Sequence, residues 1–498
     1  MKIGMRRVLI ISYYWPPSGG SGVQRWVKFA KYLPEMGWEP VVYTPSNPEV
    51  PALDESLAAE VDGVEIIRTR IFEPYGLYAK LFRREKAAAP EVNTVDAGKR
   101  SLAGRIALWL RGNLFIPDPK CLWVRPSVRY LEKYLREHPV DAIVSTGPPH
   151  TMHLIARALA RKTGLPWVAD FRDPWTKVFY FKHLSLTACA RRRHEKLEKQ
   201  VLDDASLVVA VSPMVQDEFR AMTSTPVALV TNGYDEADYV RQEGACRAET
   251  SMEGAPASHE AVAFCGEERA FTLVHTGLFA RDGIPTVLWE VLAEKCAVVA
   301  DFHQKLRIVL VGKTDREVLE SLSAAGLQDQ VTDWGYQPHP TAVARQLEAS
   351  VLLLPLRKEP EYKAVLPGKL FEYLGSGRPI LGIGAPDGAM ARILQDLTDS
   401  VSDGASGAID VGYTVCDWED KAAMAAYIDK AWGAFCGRTG SDEPSDAPGR
   451  RSPHPDVSRY SRRSTAAAMA RLLTEVCSRN DSSDASGDDG MKNDEYEK

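Results

Sequence analysis

The stretch RRVLIISYYWPPSGGSGVQRW, residues 6–26, decides the fold. Its first half is an apolar, β-branched run with the length of a buried strand. In its second half the apolar side chains recur at the i, i+3, i+4, i+7 spacing of an amphipathic helix, at Val23, Trp26, Val27 and Ala30. The stretch therefore predicts a strand, a loop and a helix, the unit from which open parallel sheets are built.

The loop between this strand and this helix is rich in glycine. Gly19, Gly20 and Gly22 would let a ligand approach the backbone closely, and the N-terminus of the following helix favours an anion. Two familiar nucleotide loops do not fit. Arg25 stands where the dinucleotide pattern G-x-G-x-x-G needs its last glycine, and the G-K-[ST] ending of a phosphate loop is absent. A strand-to-helix turn without any ligand explains the loop equally well.

The composition is that of an ordinary soluble enzyme. The 498 residues are 45% apolar and 26% charged, which is enough for roughly two or three domains. The net charge of −6 argues against a general nucleic-acid-binding protein. The eight cysteines form no C-x-x-C pair, so we expect neither a zinc site nor disulfides, and a reducing cytoplasm is the simplest compartment. We also expect no signal peptide and no transmembrane segment.

Strands and helices alternate in two parts of the chain, which predicts an α/β protein with two Rossmann-like doubly wound domains facing a cleft. We place these domains at 1–235 and 271–455. Residues 236–270 lack periodicity and are predicted to be a linker or an inserted loop. Residues 456–478 predict a closing helix, and the acidic residues 479–498 predict a disordered tail.

The most specific motif is LPGKLFEYLGSGRPILGIG, residues 366–384. Gly368 follows a proline at the start of a predicted helix, Lys369 lies in the first turn, and Glu372 follows at i+3 on the same face. A helix N-terminus with a lysine favours an anion, and a carboxylate one turn later can accept both hydroxyls of a ribose. The motif suits a nucleoside diphosphate, although a surface Lys–Glu pair is equally consistent with it.

This motif resembles the donor-binding helix of GT-B glycosyltransferases, in particular the retaining family 4, where a glutamate before a YL-x-x-G-x-P-I run holds the donor ribose. The motifs VHTGLFARDG, LVGKTDREVLESL, VTDWGYQP and VLLLPL precede it in the family's order. The first half has the matching motifs EMGWEPVVYTP, ADFRDPW and ASLVVAVSPMVQDEF. The resemblance covers most of residues 6–475, and the P-G-K-L-F-E-Y-L form is similar to that of cell-surface polysaccharide transferases.

The resemblance implies that the first domain is on the acceptor side and that the second binds the nucleotide sugar. The glycine loop would close over the donor diphosphate, Lys369 would bind this diphosphate, Glu372 would hold the ribose, and Tyr336 would lie near the nucleobase unless it is a plain loop aromatic. The donor-binding residues that we expect are Gly19, Gly20, Gly22, Gly277, Arg281, Tyr336, Gly368, Lys369 and Glu372. The implied reaction moves a sugar to a glycan or lipid-linked acceptor in cell-surface polysaccharide synthesis, with retention of configuration.

The sequence departs from the family pattern at three positions. The family commonly has a second glutamate, eight residues before the ribose glutamate, that contacts the transferred sugar, and this chain has Ala364 there. The family also often has an arginine and a lysine where this chain has Leu278 and Asp282. Arg281 would substitute for the arginine, and Lys369 would then be the main cation at the diphosphate.

Candidate catalytic residues of the first half follow two predicted strands. The motif DFRDPW supplies Asp170, Arg172 and Asp173, which would bind the acceptor or support the reacting centre. A local Asp–Arg ion pair that fixes the loop is the alternative. His150 follows the STGPP loop and would touch the leaving phosphate or the acceptor, although a lone histidine is more often structural.

We expect no metal and no cofactor beyond the nucleotide diphosphate sugar, which is the donor substrate. The sequence has no cluster of metal-ligand residues and no D-x-D motif in its first half. A helix N-terminus and a lysine can neutralise a leaving diphosphate without a metal.

Three stretches that mix basic and aromatic residues suggest a peripheral contact with the anionic inner face of the cell membrane. They are residues 75–90, 99–117 and 177–196, with Lys80, Arg83, Arg84, Arg105, Arg111 and Arg191 to Arg193 among their cations. A solvated helix face that packs on the domain is the alternative.

Two other functions share the same features. A nucleotide-sugar 2-epimerase of the same fold would need no acceptor. A catalytically degenerate partner subunit would explain Ala364, Leu278 and Asp282, although Lys369 and Glu372 argue against it.

Overall fold

The computed structural model divides the chain into two compact units. One unit holds Met1–Asn232 with Arg463–Lys498, and the other holds Gly233–Arg462. The residues that the structure describes are 4–49, 53–54, 56–73, 109–239, 270–399, 411–437 and 456–487.

The first unit contains a seven-stranded parallel sheet. Its strands are β1 (Arg6–Ile11), β2 (Trp38–Pro45), β3 (Glu65–Thr69), β4 (Ala142–Gly147), β5 (Trp167–Phe171), β6 (Leu207–Ala210) and β7 (Val227–Leu229). Its helices before the linker are α1 (Ser21–Tyr32), α2 (Ser56–Ala59), α3 (Val124–Glu137), α4 (Thr151–Thr163), α5 (Ala188–Asp204) and α6 (Pro213–Met222). The strand order is β3-β2-β1-β4-β5-β6-β7, so the direction of winding reverses between β1 and β4. The loops after these two strands therefore lie where ligands bind in such sheets.

The opening stretch folds as its pattern predicts. The apolar run forms β1, which pairs in parallel with β2 on one side and β4 on the other, and its residues from Val8 to Ile11 are fully buried. The periodic apolar side chains of α1 all lie in the core of this unit, including Val23 and Trp26. Because both faces of the sheet are covered, β1 is apolar without alternation from Val8 to Ile11.

The second unit contains a six-stranded parallel sheet. Its strands are β8 (Phe271–Thr276), β9 (Leu306–Val311), β10 (Val331–Asp333), β11 (Val351–Pro355), β12 (Ile380–Ile383) and β13 (Tyr413–Cys416). Its helices are α7 (Thr286–Val298), α8 (Ala300–Lys305), α9 (Arg316–Ala324), α10 (His339–Glu348), α11 (Gly368–Ser376), α12 (Ala389–Asp399) and α13 (Lys421–Gly437). The strand order is β10-β9-β8-β11-β12-β13, and the winding reverses between β8 and β11. This order confirms the predicted class of two doubly wound α/β domains.

The closing helix α14 (Arg462–Gly487) returns to the first unit. Met469, Leu473 and Val476 lie in the same buried cluster as Val8 of β1, and the indole of Trp38 donates to the Thr474 hydroxyl at 3.3 Å. The helix continues to Gly487, beyond the predicted end at 478. Residues 479–487 of the predicted tail therefore belong to α14, and residues 488–498 lie outside the described part of the chain.

The chain passes between the two units twice, and the two passing segments pair with each other. The amide of Tyr234 donates to the carbonyl of Tyr460 at 3.1 Å, and the amide of Arg462 donates back to Tyr234 at 2.8 Å. Residues 236–239, the start of the predicted linker, instead form a helical turn, and the hydroxyl of Tyr239 donates to the carbonyl of Glu372 at 2.6 Å. Residues 240–269 lie outside the described residues.

Candidate functional site

A lysine-lined loop lies at the carboxyl end of β8, beside the point where the second sheet reverses its winding. Gly277 follows β8 with φ +89°, and a side chain there would meet the Lys369 Cε at 2.8 Å. The Lys369 ammonium donates to the carbonyl of Leu278 at 2.8 Å and lies 3.0 Å from the Nε2 of His275. His275 places its Nδ1 3.0 Å from the carbonyl of Leu353, which requires a proton on Nδ1 and leaves Nε2 to accept from Lys369.

This position changes the acidity of the lysine. Burial lowers the pKa of Lys369 to about 8, against the opposing effect of the Glu372 carboxylate. An anion bound beside the ammonium would favour its charged form again. The surroundings of Lys369 therefore suit a ligand that carries negative charge.

The N-terminus of α11 supplies further donors next to Lys369. Pro367 caps the helix without any side-chain hydrogen bond, and the first turn carries no acidic residue. The space around Gly368 is open, because a Cβ added there would meet no described heavy atom within 4 Å apart from its chain neighbours and the backbone of its own helix. Amides at such a helix end attract anionic groups, so Gly368 and Lys369 together form a candidate phosphate site.

Glu372 lies half-buried one turn further along α11. One carboxylate oxygen accepts from the side-chain amide of Gln346 at 3.3 Å. The same Nε2 also donates to the Thr276 hydroxyl at 3.0 Å. The hydroxyl of Tyr373 accepts from the backbone amide of Thr276 at 2.8 Å, which ties the helix to β8. Among the described residues the second oxygen of Glu372 has no hydrogen-bond partner, so this carboxylate can still accept from a hydroxyl.

Two other expected donor residues lie on loops of the same unit. The guanidinium of Arg281 lies 3.5 Å from Glu317 and 3.7 Å from Asp282, so acidic side chains already neutralise it. Tyr336 lies on the loop after β10 and is 87% exposed. Ala364 ends a short 3₁₀ turn, Pro360–Ala364, on the loop after β11.

The glycine loop of the first unit opens α1. Gly20 has φ +104° and caps the helix, again without a side-chain hydrogen bond and without an acidic residue in the first turn. Gly19 packs against Asp54, whose Cβ lies 3.0 Å from the position that a side chain would take. At Gly22 a side chain would meet the guanidinium of Arg172 at 2.6 Å. Close packing within this unit therefore favours glycine at positions 19 and 22.

The carboxylate of Asp170 is held inside the first unit by hydrogen bonds to buried partners, which indicates a structural role. Its carboxylate is fully buried and accepts from Arg25 at 2.8 Å, from the Trp26 indole at 2.7 Å and from the Thr146 hydroxyl at 2.9 Å. Burial alone would raise the pKa of Asp170, but the charge of Arg25 and these hydrogen bonds together hold it below its ordinary value. Asp170 therefore fastens α1 to β5. Its partner is Arg25, and not Arg172 as a local pair would require.

Arg172 joins the start of α1 to the loops after β4 and β5. Its guanidinium donates to the carbonyls of Gly22 and Pro148, and its backbone amide donates to Gly147 at 2.9 Å. Asp173 beside it is half-buried, and no hydrogen-bond partner for its carboxylate lies among the described residues. Burial raises the pKa of Asp173, against the opposing charge of Arg172. The structure thus leaves Asp173 as the carboxylate of this motif that can accept from a ligand.

His150 lies at the start of α4 and is only 5% exposed. Neither ring nitrogen has a hydrogen-bond partner among the described residues. The ring stacks on Trp175 with centroids 4.8 Å apart and planes 3° apart. Burial, with smaller effects from His153 and Arg172, holds the pKa of His150 well below its ordinary value, so the ring is neutral at pH 7 with one donor and one acceptor to offer.

Sequence reasoning missed several residues that shape these sites. His275 immediately precedes the Thr-Gly pair of the VHTG motif, so its position gave a usable signal. Arg25 enters the sequence argument only as a misfit to a glycine pattern. Gln346 carries no local motif, and only the fold brings it to its partners.

The membrane-related stretches are only partly described. Lys80, Arg83, Arg84 and Arg105 lie outside the described residues, whereas Arg191, Arg192 and Arg193 are exposed on α5. Trp109 and Leu114, from the second stretch, are also exposed. Within the described ranges, no helix is long and apolar enough to cross a bilayer, and no cluster of three metal-ligand side chains occurs.

Comparisons with known proteins agree with this architecture. Residues 19–235 match the family model of the glycosyl transferase 4-like domain. The sucrose-phosphate synthase from Thermosynechococcus elongatus has a similar structure, with 15% identity, a TM-score of 0.53, and coverage of 95% of this chain and 100% of that chain. An alpha,alpha-trehalose-phosphate synthase (UDP-forming) from Burkholderia vietnamiensis gives 10% identity, a TM-score of 0.51, and coverage of 95% and 99%.

Among curated proteins, no sequence matches the chain. At such low identities the structural likeness shows the fold alone. The family model, in contrast, matches the sequence of residues 19–235 itself. The chain therefore has the GT-B fold, and the match of its residues 19–235 to a glycosyl transferase 4-like domain supports a glycosyltransferase enzyme.

Proposed function

We propose that the protein transfers a sugar from a nucleotide diphosphate sugar to a glycan or lipid-linked acceptor in cell-surface polysaccharide synthesis, with retention of configuration. One observation carries the donor half of this proposal. Lys369, the open N-terminus of α11 at Gly368 and the close approach at Gly277 come together at the carboxyl end of β8. A lysine and a helix N-terminus that share one position suit a diphosphate.

Each group has a role in this reaction. Lys369 and the amides of α11 would bind the diphosphate and stabilise the charge that grows on it as the glycosidic bond breaks. Glu372 would accept from the ribose hydroxyls through the oxygen that has no described partner. In this proposal no metal would be needed, because Lys369 and the amides of α11 would supply the positive charge that faces the leaving group.

The acceptor side uses the loops after β1, β4 and β5. Asp173 would accept a hydrogen bond from an acceptor hydroxyl. Arg172 would fix the positions of the segments that it joins. The neutral imidazole of His150 offers one donor and one acceptor, which suits a sugar or acceptor hydroxyl better than a phosphate.

A binding panel tests the proposal. Thermal shifts would be measured with UDP, GDP, ADP, their nucleosides and the common nucleotide sugars, because a ligand stabilises the folded state in proportion to occupancy. We expect one nucleoside diphosphate to stabilise the protein and its nucleoside to do so far less. The nucleotide sugar that stabilises the protein would then be incubated with it in excess chelator, without any acceptor. Release of an epimer would favour the epimerase, and absence of any stabilising diphosphate would contradict the proposal.

We also propose a peripheral contact with anionic lipid, because exposed arginines of α5 and exposed Trp109 and Leu114 offer charge and apolar surface together. Flotation with anionic and neutral vesicles tests it. We expect binding to anionic vesicles only, weakened when Arg191, Arg192 and Arg193 are all replaced by glutamine. Failure to bind either vesicle would overturn this contact and leave the transfer reaction untouched.

A further inference from the structure

A buried chain of contacts starts on α5 and ends at one face of the His150 ring. Glu198 of this helix is 1% exposed, and its Oε1 accepts from the backbone amides of Trp175 at 3.0 Å and of Thr176 at 3.3 Å. Its Oε2 accepts from the Thr176 hydroxyl. A fully used, buried carboxylate therefore fixes the backbone of the segment that carries Trp175.

The indole of Trp175 is fixed at its other end as well. Its N–H donates to the Nδ1 of His194 at 3.0 Å. Because Nδ1 accepts this bond, the proton of the neutral His194 ring lies on Nε2, which donates to the carbonyl of Gly112 at 3.2 Å. Burial holds the pKa of His194 below its ordinary value, which keeps the ring in this neutral form.

The broad face of the fixed indole lies against His150. The two rings are parallel within 3° and their centroids are 4.8 Å apart, whereas both nitrogens of His150 lack any described partner. A histidine without hydrogen bonds of its own has nothing but packing to set its orientation. The stacked indole, fixed by hydrogen bonds at both ends, supplies the parallel face of that packing, and His153 and Phe171 contact the ring at a tilt.

We propose that Trp175, fixed by Glu198 and His194, is a positioning residue that holds the imidazole of His150 in one orientation for contact with substrate. The inference rests on the proposed function, in which His150 touches a hydroxyl. Glu198 and His194 act through Trp175. A substrate hydroxyl would then meet an imidazole whose orientation is set before binding, which avoids an ordering cost at that moment.

The first test observes His150 itself by ¹H–¹³C NMR of the imidazole rings. The chain has ten histidines, and the His150 signal is identified by its loss in His150→Gln. In Trp175→Leu we expect the His150 signal to shift and broaden, and its pKa to rise toward the ordinary value as water reaches the ring. In Trp175→Phe, which keeps a stacking face, we expect a smaller change of the same sign. Glu198→Gln should resemble Trp175→Phe.

Trp123→Leu is the matched control. Trp123 is equally buried in the same unit and also stacks on an aromatic ring, but this ring is Tyr43, at 4.9 Å and 12°. Its loss should lower the melting temperature without moving the His150 signal. An unchanged His150 signal in folded Trp175→Leu, or an equal change in Trp123→Leu, would overturn the proposal.

The second test is a double-mutant cycle on turnover of the nucleotide sugars UDP-glucose, UDP-N-acetylglucosamine and GDP-mannose. If Trp175 acts through His150, Trp175→Phe lowers kcat in the wild-type background and adds no further loss to His150→Gln. Additive losses would show that Trp175 acts on its own, which contradicts the inference. If none of the donors is turned over, the proposed function is in question, whereas the NMR result still decides the role of Trp175.

Discussion

Lys369 and Glu372 lie one turn apart on α11 but meet different surroundings. The ammonium is half-buried against Gly277 and donates to a carbonyl and an imidazole. The carboxylate keeps one oxygen without a described partner. A lysine with a lowered pKa and no acidic hydrogen-bond partner among the described residues is poised for an anion, so its contribution to binding should be measurable separately from that of Glu372.

Lys369→Ala should weaken the binding of the preferred nucleoside diphosphate by roughly ten- to a hundredfold, because a charge-assisted hydrogen bond contributes about 1.5–3 kcal/mol. The affinity for the nucleoside should change little, because the nucleoside lacks the negative charge that Lys369 would bind. Calorimetry with the nucleoside, monophosphate and diphosphate measures this difference. Lys363→Ala is the control, since Lys363 lies on the loop before α11 and its ammonium pairs with Asp387. Equal losses in both variants would argue against Lys369.

The affinity for the diphosphate should fall as pH rises through about 8, the lowered pKa of Lys369. Below that pH the lysine already carries its charge, whereas above it binding must take up a proton. Lys369→Arg should remove this dependence, because arginine stays charged throughout. Calorimetry in buffers of different ionisation enthalpy would detect the proton uptake directly. A flat profile in the wild-type protein would contradict the assignment.

Asp170 and Asp173 belong to one motif, but their replacement should affect stability to very different extents. Asp170→Asn should destabilise the first unit by about 3–5 kcal/mol, because it leaves the buried Arg25 without its counter-charge. Asp173→Asn should change stability little, because no described hydrogen bond depends on it. Since the pKa of Asp170 is lowered in the folded protein, its contribution is present above the ordinary value and is lost as pH falls below it. Thermal denaturation of both variants, at neutral and acidic pH, compares them.

At the scale of elements, the strand–loop–helix units were predictable because their periodicity is local. β1 and α1 lie where the apolar spacing places them, and the P-G-K-L-F-E motif forms α11 with its N-terminus open. The Arg25–Asp170 pair was not predictable, because its partners are 145 residues apart and meet only after β5 pairs into the sheet. The end of α14 was also missed, since polar residues continue a helix whose composition favours disorder.

The loop after β8 offers a test of element geometry. Gly277→Ala should cost about 1–2 kcal/mol for its left-handed backbone and should also displace Lys369, whose Cε lies 2.8 Å from the new Cβ. Gly326→Ala is a matched control, because Gly326 has φ +77° and open space around it. Both variants should melt earlier, but only Gly277→Ala should weaken diphosphate binding, as calorimetry would show. Loss of binding in Gly326→Ala would mean that strain alone explains the effect.

At the scale of the whole molecule, the first unit is completed by the last helix of the chain. Met469, Leu473 and Val476 fill its core, and burial of such side chains contributes about 1.5–3 kcal/mol each. A chain that ends after Ser461 should therefore expose this face, bind a hydrophobic dye and aggregate. A chain that ends after Gly487 should melt like the full protein. Similar melting of both truncated chains would show that α14 is dispensable.

The return of α14 to the first unit also sets an order on protein synthesis. Residues up to Asn232 leave the ribosome first, but the 230 residues of Gly233–Arg462 must follow before the closing helix emerges. At about 5–20 residues per second this delay is on the order of ten to fifty seconds. During translation the nascent first unit presents an uncovered apolar face beside β1. The unit that is made first is thus finished last, and the nascent chain is a natural client for chaperones that bind near the ribosomal exit tunnel.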